Sequence, residues 1–220
     1  MVDRMLTDHW PLAALRLQTP RLELRPPDDE ELAALAGVAA QGVHHPEQRP
    51  FLTPWTHLPP ARRALFVIQQ HGLTRGQWRP EAWILELGIF HGGQPISMVS
   101  LRGRDFPVLR EVRTSSWLGL DFQGQGSGTG ARAALLHLAF AELGAVAALS
   151  EVFQDNAASQ SVSRKLGYRP DGISRDVLDG AVVVSDRLRL MREDWEQDQH
   201  ATVTVTGLES CRQFFFPGSD

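Results

Sequence analysis

One stretch constrains this chain more than any other: Ser116-Trp117-Leu118-Gly119-Leu120-Asp121-Phe122-Gln123-Gly124-Gln125-Gly126-Ser127-Gly128-Thr129-Gly130, followed by the largely apolar run Ala131 to Leu143. It reads as a strand that enters a glycine-rich turn and leaves as a helix. Glycines at 124, 126 and 128 permit backbone conformations that other residues resist, and they let a ligand approach the main chain. The turn delivers several N–H groups to a helix start. There they have no partner within the helix, and the helix dipole adds partial positive charge. A phosphate or pyrophosphate is the natural occupant of such a place.

The spacing rules out two common phosphate loops. In a G-x-G-x-x-G fingerprint counted from Gly124, the third glycine falls on Thr129; counted from Gly126 it falls on Ala131. No Lys-Ser or Lys-Thr pair follows the glycines, so the P-loop pattern fails as well. What fits is Gln123-Gly124-Gln125-Gly126-Ser127-Gly128, which resembles the Q/R-x-x-G-x-G/A pyrophosphate loop of the GNAT family of acyl-CoA-dependent N-acyltransferases. Further on, Asn156-Ala157-Ala158-Ser159 and Val162-Ser163-Arg164-Lys165-Leu166-Gly167-Tyr168 resemble that family's N-x-x-S…L-G-(F/Y) segment. Thr19-Pro20-Arg21-Leu22-Glu23-Leu24-Arg25 is similar to the opening strand of its ribosomal-protein N-terminal acetyltransferase branch. The Ser-Trp-Leu-Gly-Leu run is similar to actinobacterial members, some of which use succinyl-CoA.

The resemblance implies an α+β fold with a mixed central sheet, splayed parallel strands and helices on both faces. It implies one domain over 1–220, with a core at about 15–195 and a C-terminal extension at 196–220. The implied activity is transfer of an acetyl or succinyl group from CoA to a primary amine of a small molecule or protein. The alternative is a non-catalytic acyl-CoA-binding sensor or assembly subunit with the same fold.

Composition sets the surroundings. The net charge of −4 supplies no positive field for nucleic acid or an anionic membrane. One cysteine, Cys211, excludes an internal disulfide and a cysteine-rich zinc site, and it fits a reducing compartment. His44-His45 lacks a third ligand at useful spacing, so no metal is expected. No apolar run approaches the ~20 residues of a membrane span and no targeting signal is visible, so the expected location is the cytoplasm.

The pattern predicts a strand at Arg21–Arg25, a helix from Glu30 to about Ala40 capped by Asp28 or Asp29, and a second helix over Ala61–Gln70. Residues 1–18 read as irregular or briefly helical. A hairpin turns at Gly92-Gly93, the main helix runs from Gly128 to Leu143, and another hairpin turns at Asp179-Gly180. The alternating stretch Ala201–Thr206 reads as an edge strand. With Phe214–Phe216 it serves either a homodimer or higher oligomer contact, or the domain's own core.

Residue by residue, the resemblance places Trp117, Leu118, Gly119 and Leu120 beside the pantetheine arm. The amides of Gln123, Gly124, Gln125, Gly126, Ser127, Gly128 and Thr129 fall on the pyrophosphate; Asn156, Ser159 and Ser163 fall on the arm. The proline-rich segment 42–60 walls the acceptor pocket with Phe51 and Trp55. Many relatives carry a tyrosine acid at the position of Ser163, so the motif serine Ser159 becomes the candidate acid. The branch's usual carboxylate falls on Arg113. Glu111, sharing its strand face by the period of two, is the candidate base. Glu151 or an ordered water are the other options. Arg113 and Ser115 are candidates for contact with the acyl group, and a dicarboxylic acyl chain would suit the guanidinium. Otherwise Arg113 is expected to pair with Glu111 or to lie free at the surface.

Overall fold

The computed structural model describes residues 4–198 and 202–218. The chain begins with α1 (Arg4–His9), a short 3-10 turn (Pro11–Ala14), β1 (Arg16–Gln18) and β2 (Glu23–Arg25), then α2 (Asp29–Gln41) and α3 (Pro60–Gly76). A long hairpin follows, β3 (Ala82–His91) and β4 (Gln94–Arg104), then the single turn α4 (Phe106–Leu109) and β5 (Glu111–Leu118). Next come α5 (Ser127–His137), β6 (Ala147–Phe153) and α6 (Ala157–Lys165). The hairpin β7 (Arg169–Leu178) and β8 (Ala181–Met191), the turn α7 (Arg192–Trp195), β9 (Thr204–Thr206) and α8 (Leu208–Cys211) complete it.

All nine strands join one sheet in the order β7-β8-β6-β5-β4-β3-β2-β1-β9. Among the described strands only β5 and β6 run parallel, and they pair over three residues: Glu111 with Ala147, Val112 with Ala148, and Arg113 with Leu149. Beyond that point β5 stays on β4 through Leu118 and β6 stays on β8 through Phe153, so the two central strands part company. This is the expected splay. It leaves a wedge in the middle of the sheet, where residues 114–118 of β5 have no pairing partner on β6.

Helices cover both faces. α5 lays Ala131, Ala134, Leu135, Leu138 and Ala139, all fully buried, against Leu85, Leu87, Val99, Leu101 and Val112. These small side chains let the helix approach the sheet closely. On the other face α2 and α3 enclose a smaller core of Leu35, Ala39, Val67 and Met98. Asp28 caps α2: its carboxylate accepts the amide of Glu31, whose own carboxylate accepts the amide of Asp28. That reciprocal arrangement satisfies two amides the helix cannot.

Several elements differ from their sequence expectation. α3 runs on through Gly72 to Gly76, six residues beyond the expected end at Gln70. The glycines cost about 1 kcal/mol each in a helix. The buried contacts of Val67 and Thr74, with the Thr74 hydroxyl on Glu86 of β3 (2.9 Å), hold the last turns nonetheless. The main helix ends as α-helix at His137 and closes with a π turn over Leu138–Glu142, where Leu143 N–H reaches the Leu138 carbonyl (2.9 Å). Arg16–Gln18 is a strand that the irregular N-terminal expectation omitted.

The C-terminal stretch covers the domain's own core. β9 pairs with β1, from Arg16 opposite Thr206 to Gln18 opposite Thr204, so it is the expected edge strand; the expected start, Ala201, lies outside the described residues. Gly207 turns the chain at φ +77, packed so closely that a Cβ there would stand 2.3 Å from the Ala14 carbonyl oxygen. Phe215 then inserts fully buried, edge-on to Trp83 (5.0 Å between ring centres) and Trp78 (5.5 Å).

Candidate active site

The glycine-rich loop follows directly from β5. Leu120–Phe122 form one 3-10 turn, and α5 starts at Ser127. Gly124 (φ +74) and Gly126 (φ +83) both hold left-handed backbone, the conformation a side chain resists, so these two glycines are required by the turn itself. Gly126 is the N-cap and offers no side-chain oxygen to the helix. Among the described residues the first bond into α5 is Gly130 N–H to the Gly126 carbonyl (3.0 Å), and the amides ahead of it lack an intrahelical acceptor. A Cβ added at Gly128 would meet no protein atom within 4 Å, so open space lies over the helix start.

The loop is tethered by side chains. Gln123 donates to the carbonyls of Val43 (2.8 Å) and Leu118 (3.0 Å), tying the loop to the segment after α2. Leu120 N–H reaches the Gly42 carbonyl (3.1 Å), and Gly119 leaves no room for a side chain, with Val38 2.5 Å from its would-be Cβ. Arg21, from the opening motif, donates to the Gln125 carbonyl (3.3 Å). It brings a cation beside the loop that sequence reasoning did not place there. The Thr19-Pro20-Arg21 turn carried the signal, but only the fold brings it 104 positions along the chain.

On the α2/α3 face of the sheet, β4 and β5 pair without a register shift. The period of two therefore puts Glu111, Arg113, Ser115 and Trp117 on that side. Trp117 lies edge-on to Trp55 (6.0 Å), which stacks on Phe66 (5.2 Å) and touches Phe51 (5.7 Å). Phe51, Trp55, Phe66 and Trp117 thus form one aromatic cluster at the end of β5. Ser115 and Ser100 hydroxyls bond across the strands (2.7 Å). Arg113, the last residue of β5 paired with β6, donates to Glu151 (3.0 Å), not to Glu111. Glu111 instead accepts from Arg189, whose guanidinium also serves Asp171 (3.1 Å). These carboxylates hold Arg189 above its ordinary pKa. A depression of about 500 Å³ opens here, lined by Gln77, Arg102, Arg104, Glu111, Arg113 and Leu149.

On the α5/α6 face, Asn156 caps α6 by accepting the Ser159 amide (3.1 Å), so its carbonyl oxygen has a structural task. Ser159 is half-buried, and its hydroxyl has no partner among the described residues. Ser163 is fully buried and accepts from Arg132 (3.2 Å), a residue absent from the sequence expectation. Arg132 sat in an apolar helical stripe and carried no motif. Arg164 and Lys165 are exposed.

Among the described strands the sheet parts between its one parallel pair, and at the foot of the next helix two left-handed glycines leave amides open to an anion. The model of the acetyltransferase (GNAT) domain matches residues 21–169, and the chain belongs to that family. Solved structures share the fold. The RimJ of Mycobacterium smegmatis in complex with CoA-disulfide has a TM-score of 0.70 at 19% identity, covering 92% of this chain and 95% of its own. RimL, the ribosomal L7/L12 alpha-N-protein acetyltransferase in complex with coenzyme A, scores 0.63 at 20% identity, covering 79% and 95%. A putative acetyltransferase from T. thermophilus scores 0.66 at 22% identity, covering 83% and 92%. The activity class is therefore acetyl transfer from CoA. Among the described residues no helix is long and apolar enough to cross a membrane.

Proposed function

We propose that this chain transfers an acetyl or succinyl group from CoA to a primary amine, carried by a small molecule or by a protein. The observation that carries the reading is the cradle of amides from Gln125 to Thr129, held open by two left-handed glycines beside the parted strands. The diphosphate binds there, as an anion at a helix N-terminus. The pantetheine arm lies in the wedge along the part of β5 that has left β6, with the half-buried Ser159 hydroxyl facing it. The acceptor enters from the other face, through the depression beside Arg113.

In this reading the neutral amine attacks the thioester carbonyl, and the amide at 117–118 bonds the developing oxyanion. The reacting centres sit where the strands diverge, so Glu151 takes the amine's proton; it stands two residues beyond the last paired residue, Leu149. Glu111 lies on the paired side of that point, opposite Ala147, which makes it the second choice. Ser159 supplies a proton on the thiol side. Orientation of the two substrates in the wedge accounts for much of the rate. Arg113, freed from Glu151, would pair with a dicarboxylic acyl chain.

The test is thiol release from acetyl-CoA and succinyl-CoA with a panel of amines and N-terminal peptides. Turnover with an amine supports the reading. Tight CoA binding with no turnover on any acceptor would instead favour a non-catalytic sensor. An acetyl-to-succinyl preference identical in wild type and Arg113→Ala removes the role of Arg113.

A further inference from the structure

The depression beside Arg113 is positive in a protein that is negative overall. The chain carries a net charge of −4, yet among the described residues Arg102, Arg104 and Arg113 line the depression against one carboxylate, Glu111. The acids in and around it are already engaged. Glu111 accepts from Arg189, Asp171 from the same guanidinium (3.1 Å), and Glu151 from Arg113 (3.0 Å). Asp105 stands 3.7 Å from its neighbour Arg104. Glu86, on the same face of β3, accepts from the Thr74 hydroxyl (2.9 Å) and lies 3.3 Å from His71. Arg102 is the cation left over. It is exposed on β4, and among the described residues no hydrogen bond or ion pair engages its side chain.

The register makes its place specific. Arg102 stands directly opposite Arg113 on the paired strands β4 and β5, so both guanidinium groups rise from one face of the sheet. Like charges at directly opposite positions repel. Glu151 relieves Arg113 from β6, but β6 lies two strands away from β4, and Arg102 has no such relief. Arg113 is also the last residue of β5 that pairs with β6, so this crowding of charge occurs where the strands part. A concave surface lined by one sign of charge gathers the opposite sign from solution.

We propose that Arg102 receives a carboxylate of the acceptor, so that the substrate class is an amine that also carries an acid group. The inference deepens the reading above and rests on the acceptor entering through this depression. Neighbouring strands lie about 4.8 Å apart, which puts Arg102 one strand beyond Arg113 and two beyond Glu151. An acceptor lying across the strands presents its amine to Glu151 and its carboxylate to Arg102, whose planar fork suits two parallel bonds to such a group. Arg113 stands between them, at the acyl end. No bond is made or broken at Arg102, which acts as a specificity-determining residue. The acid has two sources: the α-carboxylate of a free amino acid, or an acidic side chain close to the N-terminus of a peptide.

Two acceptor pairs that differ in charge distinguish these sources: alanine against alaninamide, and Ala-Asp-Ala against Ala-Asn-Ala with both peptides amidated at the C-terminus. Thiol release from acetyl-CoA gives kcat/KM for each. In at least one pair the acid-to-amide ratio should fall by roughly three- to tenfold on Arg102→Gln, the range between an exposed ion pair and a charge-assisted bond in a partly enclosed site. Taking the ratio between the two proteins cancels the unequal basicity of the amines within a pair. The loss should appear in KM, Arg102→Lys should keep part of the preference, and raised salt should shrink it in wild type. An arginine with a structural task would lower the melting temperature on replacement; removing one of two facing like charges should leave it unchanged or raise it. Ratios that Arg102→Gln does not move in either pair overturn the proposal, as does turnover of other amines with none of these four. If no amine at all is acylated, the acyl-transfer reading itself has failed, which is a different result.

Discussion

Replacing Gly128 with alanine separates the stability of the α5 start from its use as an anion site. Gly128 lies in the first turn of α5 with ordinary helical backbone, and an added methyl meets no protein atom within 4 Å. Inside a helix, alanine in place of glycine gains about 0.5–1 kcal/mol, largely by restricting the unfolded chain. For a chain of this size that raises the melting temperature by roughly 1–4 °C. The same methyl occupies the space through which a diphosphate would reach the amides of Ser127–Thr129. Losing one charge-assisted hydrogen bond costs about 1.5–3 kcal/mol, which weakens CoA by roughly 10- to 100-fold. Gly37→Ala and Gly72→Ala are the controls: both lie within helices away from the loop, and neither methyl meets anything within 4 Å. They should gain similar stability and leave CoA affinity unchanged. Gly126→Ala is the opposite case. Its φ of +83 puts a strain of about 1–2 kcal/mol on any side chain, so both melting temperature and CoA affinity should fall. Differential scanning calorimetry and CoA titration on the four variants give the result. A Gly128→Ala protein that melts higher and binds CoA as wild type does would refute the amide cradle.

Three further outcomes are expected. Glu151→Gln should lower kcat by roughly 100-fold and flatten the acid limb of its pH profile, the usual scale of a lost general base. Its exposed ion pair with Arg113 contributes at most about 1 kcal/mol, so the melting temperature should barely move. Gly103→Ala would push a Cβ to 2.3 Å from the Trp83 ring, and overpacking of about 1–3 kcal/mol should lower the melting temperature by roughly 3–10 °C while the folded protein still binds CoA. Burial pushes the Cys211 thiol up to about 12. The folded protein therefore keeps this thiol protonated while an unfolded chain loses the proton near its ordinary value of 9.0, so stability is complete below that value and declines as pH rises towards 12. An aromatic disulfide reagent at pH 8 should find no reactive thiol until denaturant is added.

Local signals carried much of this architecture. The glycines at 124, 126 and 128 located the turn, and the pair Asp28-Asp29 announced the start of α2, because turn and cap chemistry lie within a few residues. The Asp179-Gly180 hairpin was legible for the same reason. What the sequence withheld depends on distant partners. β1 is three residues long and gains its place only between β2 and β9. Whether Phe214–Phe216 met a second copy or the domain itself turned on Trp78 and Trp83, far earlier in the chain. In the candidate site, strand alternation put Arg113 and Glu111 on one face, since no bulge interrupts β5. Their ionic partners were not legible: Glu151 comes from β6 and Arg189 from β8, one strand further on, and pairing register decides which carboxylate each arginine meets. Arg132 was hidden because a charged residue in an apolar helical stripe looks like an irregularity until β5 and α6 close over it.

The edge formed by β9 has a consequence for how the protein is made. Leu208, Cys211 and Phe215 fill the core from the far end of the chain, against Trp83 and the segment around Leu12–Leu17. While the ribosome still holds residues beyond 200, the emerging domain keeps an unfilled greasy slot and an unsatisfied β1. Domains on a nascent chain close as units, so this one stays open until the segment Leu208–Phe215 has emerged. A C-terminal fusion or truncation would then be felt in folding yield before it is felt at the wedge.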